Sequence, residues 1–308
     1  MYPNLYYLFK DLFNVEIPFL STVNSFGLFV TISFFVAAWL LTIELKRKEA
    51  LGQFDVGAAK GKLKILPSET VPIVTIIAAV AGILGARIFN IFKNPVLFFS
   101  DPINTMFSSG GLVFYGGLIF ATIAIWIYYK RKQITPIKVA DAVAPSLMPA
   151  YAIGRIGCHV AGDGDWGIVN LNPKPMSWLP DWLWAYNYPH NIIRAGSFIQ
   201  KCDWGTYCNQ LNQPVYPTPL YECIIIFILF FILWALRKKI NTIGRISAIY
   251  LIFISAERFL IEMIRITQRY NFLGITLTQA QIISVILFAG GIVLYVLAPK
   301  LKVNRMDL

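Results

Sequence analysis

Eight charged residues stand inside or beside stretches that are otherwise apolar: Arg87, Asp141, Arg155, Glu222, Glu257, Arg258, Glu262 and Arg265. An idle arginine or acid at the centre of a bilayer costs at least about 2.5–3.5 kcal/mol on insertion scales, so such residues need partners, water or a polar ligand. Arg258 and Glu262 are four apart and share one helical face, with Glu257 and Arg265 around the same helix. Two readings fit: an internal ion-pair network that orients helices, and a cationic pocket for an anionic headgroup. The second draws on the planar fork of donors that a guanidinium offers to phosphate oxygens. A second chemical feature is Tyr151–Gly167, YAIGRIGCHVAGDGDWG, in which Gly154 and Gly157 flank Arg155 and Gly162, Gly164 and Gly167 follow beside Asp163 and Asp165. Glycines let backbone and ligand approach closely and free backbone N–H groups for an anion. In a membrane span they also serve helix packing.

The elements that must hold these residues follow from composition. Of 308 residues, 57% are apolar and 14% charged, against about 45–50% and about 25% in soluble domains. A water-soluble globule is excluded, as are a disordered chain and, with four cysteines, a disulfide-rich scaffold. Seven stretches can each cross roughly 30 Å of hydrocarbon as a helix of about 20 residues. They run from about Asn24 to Ile43, Val71 to Phe92, Gly111 to Tyr129, Val139 to Val160, Pro219 to Leu236, Gly244 to Arg265 and Thr278 to Leu297. The segment before the first carries Asp11 and Glu16 and no small-residue cleavage site, unlike a cleaved signal. Seventeen lysines and arginines fall in alternate loops (46–64, 130–138, 237–245 and the tail) and six in the opposite ones. The positive-inside bias then sets the N-terminus outside and the C-terminus in the cytoplasm, which an odd number of crossings also demands. The expected fold is an all-α polytopic membrane protein, one transmembrane domain over residues 1–308 with an extracytoplasmic insert at 161–214. The net charge of +11 is read as orientation and anionic lipid, with no nucleic acid as partner.

The insert is rich in Trp178, Trp182, Trp184, Tyr186, Tyr188, Trp204 and Tyr207, rings suited to a headgroup-level cap. An irregular loop without chemistry is the plainer reading. Cys202 and Cys208 lie there with five residues between them and could close a local disulfide in an oxidising compartment. Cys158 and Cys223 sit at span positions as small hydrophobes. Neither this spacing nor two isolated histidines reads as a metal site, so no metal and no cofactor are expected.

Several motifs in order resemble those of bacterial prolipoprotein diacylglyceryl transferases, from Phe26-Gly27-Leu28 to the last span. They are Gly85-Ala86-Arg87, then Gly110-Gly111-Leu112-Val113-Phe114-Tyr115-Gly116-Gly117-Leu118, then Asp141 and Ala144-Pro145 leading into Gly154-Arg155-Ile156-Gly157. Tyr216-Pro217-Thr218-Pro219-Leu220-Tyr221-Glu222, Glu257-Arg258-Phe259-Leu260-Ile261-Glu262 with Arg265, and Gln281-Ile282-Ile283-Ser284 complete the set. The resemblance implies a multi-pass protein of the bacterial inner membrane. It implies transfer of the diacylglyceryl group of phosphatidylglycerol to the lipobox cysteine thiol in the signal peptide of a lipoprotein precursor, giving a thioether and glycerol phosphate.

Negative charge grows on the departing phosphate in such a reaction, so preorganised cations in a dry pocket carry much of the catalysis. Arg155 and Arg258 match the family's essential arginines, and Glu262 is expected to orient Arg258. Arg87, Asp141, Glu222, Gly154 and Gly157 complete the expected phosphatidylglycerol site, with Asp163 aligned to the acidic position after the signature. The chain departs from the family's pattern where Tyr115 replaces a histidine, Phe26 a tyrosine, Cys158 an asparagine, Tyr216 a histidine and Pro219 a glutamine. A thiol of pKa about 8.5 still needs a base or a positive field. Field activation by the arginines, with the Tyr115 phenol donating to a phosphate oxygen, and His159 as proton acceptor are both open.

Overall fold

The computed structural model describes residues 1–54, 65–93, 95–102, 113–272 and 275–300. Gly110, Gly111 and Leu112 of the glycine-rich motif lie outside the described residues, as do Lys60, Lys62, Lys64, Lys302 and Arg305 of the basic loops. The chain is mostly helical. In order come α1 (Leu5–Phe13), α2 (Ser25–Ala50), α3 (Val71–Lys93), α4 (Pro95–Ser100), α5 (Phe114–Arg131), α6 (Pro136–Ala161), α7 (Asp181–Trp184), α8 (Thr218–Leu236), α9 (Arg245–Ile261) and α10 (Gln279–Leu297). Two small antiparallel hairpins, which the all-helical expectation did not include, accompany them. One pairs β1 (Ser197–Phe198) with β2 (Asn209–Gln210), the other β3 (Arg269–Phe272) with β4 (Ile275–Thr278), where Arg269 faces Thr278.

Each of the seven predicted stretches coincides with a long helix. Among the described residues, four segments are long and apolar enough to cross a membrane: Ser25–Ala50, Pro67–Lys93, Thr218–Leu236 and Gln279–Lys300. They turn large apolar side chains outward, among them Phe35, Trp39, Ile76, Phe231, Ile286 and Val296. A soluble surface does not tolerate apolar faces of that extent. Helices α6 and α9 carry charges along their length, Lys138, Asp141 and Arg155 in the first and Arg245, Glu257 and Arg258 in the second.

The chain forms two compact units, Met1–Ala37 with Val143–Lys302, and Ala38–Ala142. In the second unit, α3 and α5 meet through the motif glycines. A Cβ on Gly117 would stand 2.8 Å from the Gly82 carbonyl, and one on Gly85 would strike the Gly116 carbonyl and Phe120. Missing side chains thus let two backbones touch, the usual way helices pack where no hydrophobic effect drives them together. In the first unit, Gly291 of α10 gives the same close approach to Ile252 of α9. Thr278 and Gln281 form a capping box at the start of α10, Gln281 N donating to Thr278 Oγ1 at 3.1 Å and Thr278 N to Gln281 Oε1 at 3.0 Å. The Gln281 motif is therefore a helix start.

The segment after α6 has its own small core, Trp166, Tyr188 and Val215. Fully buried Asn191 braces it, donating to Tyr188 O, Ala195 O and Asn209 O and accepting from Ala195 N. Cys202 and Cys208 are disulfide-bonded. Trp204 beside them stacks between Tyr7 of α1, centroids 4.6 Å apart, and His190 at 4.0 Å.

Candidate active site

Four elements of the first unit bring the buried charges together. Helix α6 carries Tyr151 and Arg155, and ends at Gly162. That glycine takes φ +64° and returns its N–H to Cys158 O at 3.0 Å, the left-handed exit for which glycine is suited. Three residues on, Asp165 is held by its own backbone: its N–H donates to Asp163 Oδ1 at 3.2 Å and its carbonyl accepts from Thr218 Oγ1 at 2.7 Å. Helix α8 supplies Glu222 one turn from its start, and α9 supplies Arg258.

The expected span over Gly244–Arg265 ends earlier, with α9 stopping at Ile261 and Glu262 as its C-cap. The last amides there reach back only three residues, Met263 N to Leu260 O and Ile264 N to Ile261 O. The chain then peels away so that Arg265 bridges Gly167 as a β-pair. A Cβ on Gly167 would meet Ile264 O at 2.6 Å and Tyr216 at 2.8 Å, so only glycine fits between these strands.

Glu222 is the hub. Its side chain is wholly buried. Oε2 takes Arg155 Nε at 2.7 Å, Arg258 Nη1 at 3.5 Å and the Tyr151 hydroxyl at 2.5 Å, while Oε1 faces Arg265 Nη1 at 3.6 Å. Asp165 joins Arg155 through Oδ2 and Arg265 through Oδ1. Glu262, also wholly buried, takes Arg258 Nη2 at 3.1 Å. The Arg155 guanidinium lies 5.0 Å from the Tyr151 ring centre. Three guanidiniums thus meet three carboxylates, and Arg258 keeps the most exposed side chain of the three cations, at 24%. Burial pushes the Asp165 carboxyl up, but Arg155 and Arg265 outweigh it and hold the group below its ordinary range. Asp163 is raised instead, by burial first and by Asp165 second.

Of the sequence-predicted residues, Arg155, Glu222, Arg258 and Glu262 are brought into one cluster. The acid in that cluster is Asp165, with Asp163 behind it shaping the turn. Gly154 faces open space, whereas the face of Gly157 is filled by Phe29, whose Cβ would lie 2.7 Å from an added Cβ. His159 sits one turn beyond Arg155 in an aromatic nest, Nδ1 3.1 Å from the Tyr188 hydroxyl and its ring tilted against Tyr186. Arg87, Tyr115 and Asp141 belong to the second unit, where Asp141 is buried and in electrostatic contact with Lys48. Asp165, Arg265 and Tyr151 enter the cluster without having been assigned to it. Arg265 was named beside Arg258 among the buried charges, but it reaches the cluster from the extended chain after α9 and not from the helix. Cys158 Sγ and the Asp163 and Asp165 carboxylates come within 4.8 Å of one another, though Asp165 already faces two guanidiniums.

A wholly buried carboxylate surrounded by three arginines, in a frame of apolar helices, joins charges from the Gly154–Gly157, Tyr216–Glu222 and Glu257–Arg265 motifs. The model of the family described as prolipoprotein diacylglyceryl transferase matches residues 13–297. The chain belongs to this family. A relative from Leptospira interrogans, named phosphatidylglycerol–prolipoprotein diacylglyceryl transferase, is 30% identical over 291 residues, 86% of this chain and 78% of its own. Relatives of the same name from Bifidobacterium adolescentis (28% over 288 residues, 91% and 76%) and Bordetella avium (30% over 224 residues, 71% and 73%) are similar to it as well. The match contains every element of the arginine cluster, and the family together with the four apolar segments makes this a membrane protein.

Proposed function

We propose that this chain transfers the diacylglyceryl group of phosphatidylglycerol to the lipobox cysteine thiol of a lipoprotein precursor, at the outer leaflet of a bacterial inner membrane. In this reading the chain crosses seven times, with its N-terminus outside, its C-terminus in the cytoplasm and residues 161–214 as an extracytoplasmic cap. The observation that carries it is the cluster in which Arg155, Arg258 and Arg265 surround Glu222. Each guanidinium has five donors, more than its acids occupy, so the forks are oriented and still able to take phosphate oxygens. The sulfur forms a bond to the glyceryl carbon as the carbon–oxygen bond breaks. The electron pair leaves on the phosphate, where charge from fixed cations counts most because no solvent must reorganise. Glu222, Glu262 and Asp165 aim the forks, and the open face of Gly154 supports close approach of the lipid.

The test uses purified protein in phosphatidylglycerol vesicles with a lipobox peptide, read by the mass of the thioether product. The parent is expected to form product, and Arg155→Ala to lose about 10²–10³-fold in rate, the effect of removing one oxyanion donor. Peptide and lipid bound without product would support a non-catalytic member of the family, which the tyrosine at 115 favours.

A further inference from the structure

We propose that Glu257 accepts the proton of the substrate thiol, an assignment that rests on the transfer reaction above. Five acids stand in or beside the cluster, and Asp163 among them already accepts the Asp165 N–H at 3.2 Å. Asp165, Glu222 and Glu262 are clamped by guanidiniums, and an oxygen fixed in an ion pair is a poor acceptor. Glu257 differs. It is 3% exposed, next to Arg258 on α9, and among the described residues its carboxylate oxygens have no hydrogen-bond partner and, unlike those of the three clamped acids, lie in no ion pair.

Every charged group packed around it belongs to the site. Glu222 on α8, Arg155 and Tyr151 on α6, and Arg258 and Arg265 on its own segment are within electrostatic reach. Helix α10, which packs along α9, carries Tyr295 as its one titratable residue, and that ring lies 5.2 Å from Arg245. A buried polar group without a partner costs about 1–3 kcal/mol, more when charged. A carboxylate kept in that condition beside three arginines points to a donor that arrives with the substrate.

The reaction supplies that donor and lacks its acceptor. The thiol is only a few per cent ionised near neutrality. Tyr115 replaces the histidine of the resembled motif, and His159 already faces Tyr188. In the proposed step the S–H bond breaks and its proton passes to a Glu257 oxygen. The freed sulfur pair forms the S–C bond, the C–O bond breaks, and that electron pair departs on glycerol phosphate between the arginines. Release of the proton to water restores the carboxylate.

Glu257→Gln keeps the shape of the side chain and removes the acceptor. Reconstituted with phosphatidylglycerol and a lipobox peptide, it is expected to lose about 10²–10⁴-fold in kcat, with KM for either substrate within about threefold of the parent's. Its rate should climb roughly tenfold per pH unit toward the thiol pKa of about 8.5, because solvent then ionises the sulfur. A glutamine variant at the parent's kcat overturns the assignment in favour of activation by the arginine field. So does a loss confined to KM, or one that follows the parent's pH profile. If the glutamine variant fails to insert, Glu257→Asp decides: reduced kcat at unchanged KM supports the assignment, and the parent's kcat overturns it. A parent that makes no thioether refutes the transferase reading itself.

Discussion

Removing Arg258 should damage the protein in two separable ways. The Glu262 side chain is wholly buried and its ion pair with Arg258 is 3.1 Å long. Arg258→Ala therefore leaves a carboxylate uncompensated in a low-dielectric interior, which costs about 3–5 kcal/mol. Glu222 suffers less, since Arg155 at 2.7 Å and Arg265 at 3.6 Å stay beside it. At about 2 °C per kcal/mol for a chain of this size, the melting temperature should fall by roughly 6–10 °C. Transfer should fall a further 10²–10³-fold or so from loss of charge at the leaving phosphate. The double variant Arg258→Met/Glu262→Leu separates the two effects. It removes both charges and fills their volume with apolar groups, a replacement that is often neutral or stabilising, so stability should return to within about 1 kcal/mol while transfer stays lost. Arg258→Lys should hold most stability and transfer poorly, because one ammonium cannot present a fork to Glu222 and Glu262 together. Thermal unfolding in nanodiscs and thioether yield measure the two quantities. A double variant that transfers at the parent's rate would refute the reasoning, as would an alanine variant with the parent's melting temperature.

Asp165 carries a pH dependence. Its carboxyl titrates below the ordinary value in the folded protein because Arg155 and Arg265 outweigh burial, so its stabilisation is complete above the unfolded pKa of about 3.9 and lost as pH falls through the folded one. Melting temperatures recorded from pH 6 down to 3 should therefore drop more steeply for the parent than for Asp165→Asn, and parallel curves would show that the two arginines do not stabilise this carboxylate. At the α3–α5 crossing, Gly117→Ala places a Cβ 2.8 Å from the Gly82 carbonyl and should cost about 1–3 kcal/mol. Gly290→Ala, with open space around its Cβ, should leave the melting temperature unchanged or slightly raised, and equal melting temperatures for the two would remove the packing role.

The helices were legible because twenty apolar residues have few alternatives, and each predicted stretch falls on one. Arg258 and Glu262 were legible as neighbours because a four-residue spacing is a local property of a helix. What could not be read locally depends on where chains turn. The end of α9 at Ile261 is fixed by the pairing of Arg265 with Gly167, 98 residues earlier in sequence. The choice of Asp165 over Asp163 is fixed by Thr218 Oγ1 holding the Asp165 carbonyl. The motif glycines at 85, 116, 117 and 157 carry helix contacts, although their spacing alone fits ligand approach equally well. The hairpins escaped notice because two to four residues are too few for a period to show.

These long-range ties give the first unit a particular logic. Asp165 and Trp166 are neighbours in sequence, yet one pairs with two buried arginines and the other belongs to the core of the segment after α6. The next two residues are pinned by backbone bonds, Gly167 N to Tyr216 O and Ile168 N to Ile264 O, each 2.8 Å. Four consecutive residues thus join the ends of α6, α8 and α9 to the aromatic segment. Movement of that segment has to move the Asp165 carboxylate, and with it the forks of Arg155 and Arg265. Charges buried in an apolar frame tolerate little such displacement, because desolvation is offset only while geometry is good. The segment between residues 161 and 214 therefore sets the aim of the arginines as much as the helices that carry them, and substitutions in its core at Trp166 or Tyr188 should reach the site through Asp165.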